Sequence, residues 1–208
     1  HLDPDRFSVS VACSTLRDAD FTADVRRMEQ RGIPVHIVPM RREISPVSDL
    51  AALVRIMGIL RRGRFDIVHT HSSKAGFLGR MAAAAVRVPC VIHTPHVFAF
   101  QMRLPWILKR FYFMLERLAA RCTDRILCVC SDEKEAAVRE GLAPADRFVV
   151  VHNGIECGEF AFNPSARQVL RQELGFGDED LIIGSAGRLS AQKDYGCLLQ
   201  AGAAVRNR

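Results

Sequence analysis

Apolar and polar positions change their period repeatedly along the chain. Six short runs rich in branched and apolar residues stand out: 7–13, 33–39, 66–71, 90–96, 125–130 and 147–152. Helix-like stretches lie between them, and this alternation predicts six strands of a parallel sheet with crossover helices, because hairpins need far shorter connections. The fold class expected is α/β with a doubly wound parallel sheet.

The helices are marked by stripes and by their ends. Phe21, Val25 and Met28 recur at helical spacing before Gly32, and Leu50, Leu53, Val54, Met57 and Leu60 form a face between Pro46 and Gly63. From Lys74 to Arg87 the pattern is carried by Phe77, Leu78, Met81 and a run of alanines, small enough to bring a helix close to a sheet. Asp132 and Glu135 have the spacing of a capping box for a helix ending near Gly141.

The rhythm breaks after Val151-His-Asn-Gly-Ile155. Residues 154–164 have no sustained period and read as a hinge, followed by a helix over 165–174 and one strand and turn over 180–187. The organisation expected is a first α/β domain over 1–154, a linker and helix over 155–178, and the start of a second domain over 179–208.

At 208 residues, 49% hydrophobic and 25% charged, the chain has the composition of a packed globular protein. It has no apolar run long enough to span a bilayer as a helix. The net charge of +6 is unevenly spread: residues 41–125 hold 15 Lys and Arg against 5 Asp and Glu, a net of +10, which leaves −4 for the rest. A basic middle segment favours a phosphate-bearing or anionic partner. Met102 to Arg121 interleaves Trp106, Ile107, Phe111 and Met114 with Arg103, Lys109, Arg110 and Arg117, a pattern suited to an anionic membrane surface as well as to packing. No zinc-finger spacing or RNP-like strand is present, so no nucleic-acid partner is expected. Seven cysteines with no CxxC pair point to reduced thiols and a cytoplasmic setting, peripheral at the inner face of a membrane if the basic helix docks there.

There is neither GxGxxG nor GxxxxGK[ST], which removes the strongest local support for hydride transfer and P-loop chemistry. Candidate chemistry instead gathers at the carboxyl ends of the strands, where open parallel sheets bind ligands. His69 and His71 share a strand face. Lacking an accompanying carboxylate motif, they are read as a polar strand end, and no metal site is assigned. His96 exits a strand into an aromatic loop and is placed to orient a hydroxyl or bind an anionic oxygen. Ser72, Ser73 and Lys74 open a helix, offering either a cap or an anion site. Arg188 and Lys193 place two cations beside a turn, suited to clamping phosphate oxygens.

The runs His69-Thr-His-Ser-Ser-Lys-Ala-Gly-Phe-Leu-Gly-Arg80, His93-Thr-Pro-His96, Ser131-Asp-Glu-Lys134, Val151-His-Asn-Gly-Ile155 and Gly187-Arg-Leu-Ser-Ala-Gln-Lys193 together resemble the GT-B glycosyltransferases of family 4. The resemblance implies a GT-B acceptor-side domain lacking its first strand and Gly-rich turn, followed by the beginning of a nucleotide-sugar-binding domain without its Glu-seven-residue-Glu segment. It implies retaining transfer of a sugar from a nucleoside-diphosphate sugar, the donor substrate, to a hydroxyl acceptor such as a lipid-linked one, in cell-surface polysaccharide synthesis. No resident cofactor is implied, and residues 1–208 alone are expected to be inactive. Arg188 and Lys193 then match contacts to the donor diphosphate, and His96 the histidine near the reacting sugar. Ser72, Ser73 and Lys74 fall on the acceptor side, and Asn153 and Gly154 at the interdomain hinge. A sugar-nucleotide epimerase of the same architecture and a noncatalytic basic module at membranes or nucleic acid are the rival readings.

Overall fold

The computed structural model describes residues 2–16, 21–41, 43–189 and 193–206, and divides into two compact units, 1–154 and 155–208. All six expected runs in the first unit contain strands, each shorter than its apolar run: β1 (Val11–Cys13), β2 (Val35–Ile37), β3 (Ile67–His71), β4 (Cys90–Thr94), β5 (Arg125–Cys128) and β6 (Phe148–Val150). Between them run α1 (Phe21–Gln30), α2 (Pro46–Gly63), α3 (Ser73–Val86), α4 (Trp106–Ala120) and α5 (Ser131–Arg139). Every strand pair is parallel. β1 pairs with β2, and β3-β4-β5-β6 form a four-stranded sheet in sequence order.

The register divides the larger sheet into two faces. Val68, Thr70, Val91, His93, Ile126, Cys128 and Phe148 share one face and meet the helices. Two clusters fill that space: α2, α3 and β4 around Ile56, Leu78, Ala82 and Val91, and α4, α5, β5 and β6 around Phe98, Ala120, Ile126, Ala137 and Phe148. His69, His71 and Thr94 lie on the other face, where Ile67 and Val149 remain exposed.

Helix α3 seats close to the sheet because of two glycines. A Cβ on Gly76 would come within 2.4 Å of His93 Cε1, and one on Gly79 within 2.7 Å of Thr70 Cγ2. The same helix carries Arg80, wholly buried, whose guanidinium forks onto Glu116 of α4 at 2.7 and 3.0 Å while its Nε donates to the Gly76 carbonyl at 3.0 Å. A buried guanidinium is tolerable only with such complete pairing.

The expected capping box on α5 is replaced by another arrangement. Neither Asp132 nor Glu135 caps the helix; Glu133 reaches back instead, its Oε2 accepting the Val129 N–H at 2.9 Å. The connection through Val129 is tight enough that the third residue of the helix reaches the strand end.

In the second unit, α6 (Pro164–Glu173) is capped by Asn163, whose Oδ1 accepts the Ala166 N–H at 3.0 Å, and α7 (Tyr195–Arg206) follows. The strand expected over 180–187 does not form among the described residues. Leu181 is 87% exposed and 181–186 carry no ladder, since a single extended segment has no partner for its backbone groups there.

Candidate functional site

The carboxyl ends of β3 and β4 assemble the most concentrated polar constellation of the first unit. His69 Nε2 lies 2.8 Å from Thr94 Oγ1, which the register places two residues beyond Ile92, its neighbour on β4. His71 Nδ1 lies 3.1 Å from His96 Nε2, with the two rings stacked at 5.3 Å, and the His69 and His71 rings are 4.2 Å apart. Sequence spacing had placed His69 and His71 together. The strand register adds Thr94, and the turn after Pro95 adds His96. That turn is unusual: His96 has φ +62°, and Ser72, leaving β3, has φ +62° as well, with its N–H donating to the Thr94 carbonyl at 3.2 Å. Left-handed backbone at two non-glycine residues brings both loops over the same strand ends.

His69 and His71 are kept neutral. Partial burial, followed by the charges of His71 and His96, lowers His69 to about 4, and burial with His96 nearby also lowers His71. Neutral imidazoles can each donate and accept one hydrogen bond, the equipment needed to hold sugar hydroxyls or receive a hydroxyl proton. Among the described residues, no group of three or more His, Cys, Asp or Glu is placed to hold a metal ion.

Behind this exposed layer is a buried one that the sequence pattern did not reveal. His93, wholly buried against Gly76, pairs its Nδ1 with Thr70 Oγ1 at 2.9 Å and turns its Nε2 toward Glu116 Oε1 at 3.6 Å. Burial and the Arg80 charge push it down to about 2, so it stays neutral. The Thr70 hydroxyl donates to the Ile92 carbonyl at 3.3 Å, which leaves its oxygen free to accept from His93 Nδ1–H. Glu133, beside the end of β5, has one oxygen on Val129 and the other buried without a hydrogen-bond partner among the described residues; burial raises its pKa, with the Val129 N–H and the His96 charge opposing the rise. His152 Nδ1 donates to the Val129 carbonyl at 3.1 Å, so Glu133 and His152 together occupy both backbone groups of Val129. The signal for Arg80 was a charge in the middle of an Ala- and Gly-rich helix. Glu116 and Glu133 gave no comparable signal, since their partners lie on other elements or on the backbone.

The remaining expected residues are distributed as follows. Ser72 is the residue before α3 but makes no side-chain cap, and Ser73 is exposed. Lys74 is already paired: its ammonium contacts both oxygens of Asp49 at 2.7 and 3.0 Å and the Glu43 carbonyl. Its charge is therefore matched within the first unit rather than left for a ligand. Asn153 and Gly154 are exposed and lie at the boundary between the units.

In the second unit Arg188 and Lys193 are both exposed, while Ser190 to Gln192 of the same motif lie outside the described residues. Gly187 sits against this motif: a Cβ there would come within 2.9 Å of Tyr195 Oη and 3.7 Å of Lys193 Cε. The lysine stem thus folds back over the glycine turn.

All seven cysteines are free thiols, and burial pushes Cys128 up to about 12, so it serves as packing.

Comparison with known proteins places these features among others of their kind. The glycosyl transferase 4-like domain family matches residues 1–154. The chain is 37% identical over 153 residues to the UDP-Gal:alpha-D-GlcNAc-diphosphoundecaprenol alpha-1,3-galactosyltransferase of Escherichia coli, covering 74% of this chain and 40% of that protein. It is 26% identical over 172 residues to the capsular polysaccharide biosynthesis glycosyltransferase CapM of Staphylococcus aureus, covering 79% and 44%. The chain thus spans less than half the length of these curated relatives. Among solved structures, HepE of Anabaena in complex with UDP superposes with a TM-score of 0.70 at 18% identity, over 94% of this chain and 57% of that one. A glycosyltransferase from Rickettsia africae superposes with a TM-score of 0.65 at 15% identity, over 97% and 58%. At these identities the superpositions establish the shared fold.

Proposed function

The chain belongs to the glycosyl transferase 4-like family, and from that membership we propose that the intact protein transfers a sugar, with retention, from a UDP-sugar to a hydroxyl on a lipid-linked acceptor during cell-surface polysaccharide synthesis. The observation that carries this reading is the 37% identity to a relative whose name gives a UDP-sugar donor and a diphosphoundecaprenol-borne acceptor. The capsular relative supports the polysaccharide setting.

The chemistry assigns distinct work to the two units. As the anomeric C–O bond to the β-phosphate breaks, its electron pair goes to the phosphate oxygen, and fixed cations favour that developing charge. Arg188 and Lys193 are the groups proposed for this role. The acceptor oxygen forms the new C–O bond and gives its proton to the departing diphosphate. His96, with His71 bonded to it, is proposed to hold the reacting sugar by hydrogen bonds, and Ser72 and Ser73 to lie on the acceptor side. The donor sugar is a substrate that leaves as product, so the scheme calls for no resident cofactor.

Peripheral attachment to an anionic membrane fits a lipid-borne acceptor and is supported by α4, which exposes Trp106, Ile107, Phe111 and Met114 beside Arg110 and Arg117. No helix among the described residues is long and apolar enough to cross a membrane.

The test is calorimetric titration of the intact protein with UDP-, GDP- and ADP-sugars, followed by transfer to sugars on polyprenyl diphosphate and NMR of the new linkage. Binding of a UDP-sugar and a product with the donor's anomeric configuration are expected. An inverted product would overturn retention, and absence of both binding and transfer would sink the reading.

A further inference from the structure

At the end of the four-stranded sheet opposite the histidines, five arginines converge. Arg87 follows α3, Arg117 and Arg121 lie at the end of α4, Arg125 begins β5 and Arg147 precedes β6. They line two hollows of about 360 and 400 Å³ that share Arg121 and Arg147. Asp124 is the single carboxylate among the lining residues, and its Oδ2 is occupied by the Val91 N–H at 2.7 Å. Arg147 donates to the Ala120 and Thr123 carbonyls at 3.0 and 3.3 Å, and Arg125 to the Asp124 carbonyl at 2.8 Å. Arg87, Arg117 and Arg121 form no ion pair among the described residues.

Cations at a helix C-terminus offset the carbonyl dipole. Arg147 already caps the end of α4, so the dipole does not account for Arg117 and Arg121 as well. Guanidinium groups gathered around a hollow are suited to one ligand chemistry, the forked binding of phosphate oxygens.

The second observation is what adjoins the hollow. Ile107, Phe111, Met114 and Leu118 recur at spacings of four, three and four along α4 and are 62, 44, 60 and 43% exposed. Arg117 lies on that same helix and Arg121 directly follows it, beside the stripe. A helix lying in a bilayer interface buries such a stripe at the acyl boundary and holds its cations at the depth of the headgroup phosphates.

We propose that the two adjoining hollows, which share Arg121 and Arg147 and are lined further by Arg117 on one side and by Arg87 and Arg125 on the other, bind the phosphate of an anionic phospholipid headgroup, seated there when α4 lies on the membrane. This rests on the peripheral attachment proposed above and adds a defined headgroup site to it. The site is separate from the histidines: α4 runs from the carboxyl ends of the strands to their amino ends, and its 15 residues span about 22 Å.

The experiment titrates the intact protein with dihexanoyl phosphatidylglycerol below its micelle concentration and with inorganic phosphate. It also sediments the protein with vesicles of phosphatidylcholine alone or mixed with phosphatidylglycerol. The short-chain lipid is expected to bind, and Arg87→Asn with Arg121→Gln to weaken it about tenfold or more and abolish the preference for phosphatidylglycerol vesicles. Both arginines are exposed, so the fold is not at stake, and transfer to a water-soluble acceptor should be unchanged. Ile107→Ser with Phe111→Ser is expected to remove vesicle attachment and leave short-chain lipid binding intact. No lipid binding by the unaltered protein, or equal binding by the arginine variant, overturns the site. Inorganic phosphate binding as tightly as the lipid overturns the lipid source. If vesicles of every composition fail to bind while the short-chain lipid still binds through the arginines, the attachment reading falls and the headgroup site is supported.

Discussion

His71 Nδ1 and His96 Nε2 share one hydrogen bond of 3.1 Å, so one ring must donate and the other accept. Two imidazolium ions cannot satisfy that geometry. The bond fixes how the nitrogen on the far side of His96 is presented: as a donor if His71 donates, as an acceptor if His96 does. Replacing His71 by Ala is expected to lower kcat for transfer while leaving the donor dissociation constant unchanged, because it releases the orientation of His96 without touching the diphosphate contacts. Equal kcat in the two proteins, measured over a pH series, would separate His71 from the mechanism.

Acid should weaken the fold through the neutral histidines. His69 and His93 titrate at about 4 and about 2 in the folded chain, below the ordinary 6.5. Between those values the unfolded chain holds more protons than the folded one, so unfolding free energy is full above about 6.5 and falls as pH drops. For wholly buried His93 the slope approaches about 1.4 kcal/mol per pH unit. Glu133, raised above 4.5 by burial, contributes with the opposite sign just above that value. Urea titrations between pH 7 and 4 should show the loss, and His93→Asn should flatten it.

Breaking the Arg80–Glu116 fork from one side leaves a wholly buried guanidinium with too few acceptors. Glu116→Gln is expected to cost about 3–5 kcal/mol of stability, whereas Arg80→Met combined with Glu116→Leu should recover most of that loss, since the pair repays its own desolvation only narrowly. Chemical denaturation of the three variants decides it. A mild Glu116→Gln phenotype would contradict the burial assigned to Arg80.

Gly76 and Gly58 give opposite expectations for the same substitution. A methyl on Gly76 meets His93 Cε1 at 2.4 Å with no room behind the ring, so Gly76→Ala should destabilise by about 1–3 kcal/mol. On Gly58 it meets only the flexible end of Arg62 at 3.3 Å, and Gly58→Ala should stabilise by about 0.5–1 kcal/mol through helix propensity. Matched thermal melts of the two variants test the contrast.

Removing either proposed diphosphate cation should affect the chemical step. Arg188→Ala or Lys193→Ala is expected to raise the barrier by about 2–4 kcal/mol, the scale of losing one preorganised donor to a developing oxyanion. Unchanged specific activity would strike that residue from the scheme.

The parts legible in the sequence were those governed by local repetition. β3 and β4 could be located because Ile67-Val68 and Cys90-Val91-Ile92 are short branched runs closed by polar ends, and α3 could be seen to approach the sheet from its glycines and alanines. What could not be read depends on residues distant in sequence. Nothing near Lys74 announces Asp49, Arg80 and Glu116 sit 36 positions apart, and the meeting of His71 with His96 requires the β3–β4 register and a left-handed turn. The strand expected over 180–187 shows the converse limit: an apolar run states a propensity, and only a neighbouring strand turns it into a ladder.

The fork between Arg80 and Glu116 also has a mechanical meaning. A bidentate contact in a wholly buried setting is satisfied at one rotation of α4 about its own axis and at one axial position against α3. Rolling the helix by a single residue would withdraw both oxygens at once. The direction in which Ile107, Phe111 and Met114 point is therefore indexed to the strands that carry His71 and His96. On a membrane, such a domain would behave as an oriented instrument rather than a tethered one, with the depth of its histidines above the lipid preset by a contact that touches neither.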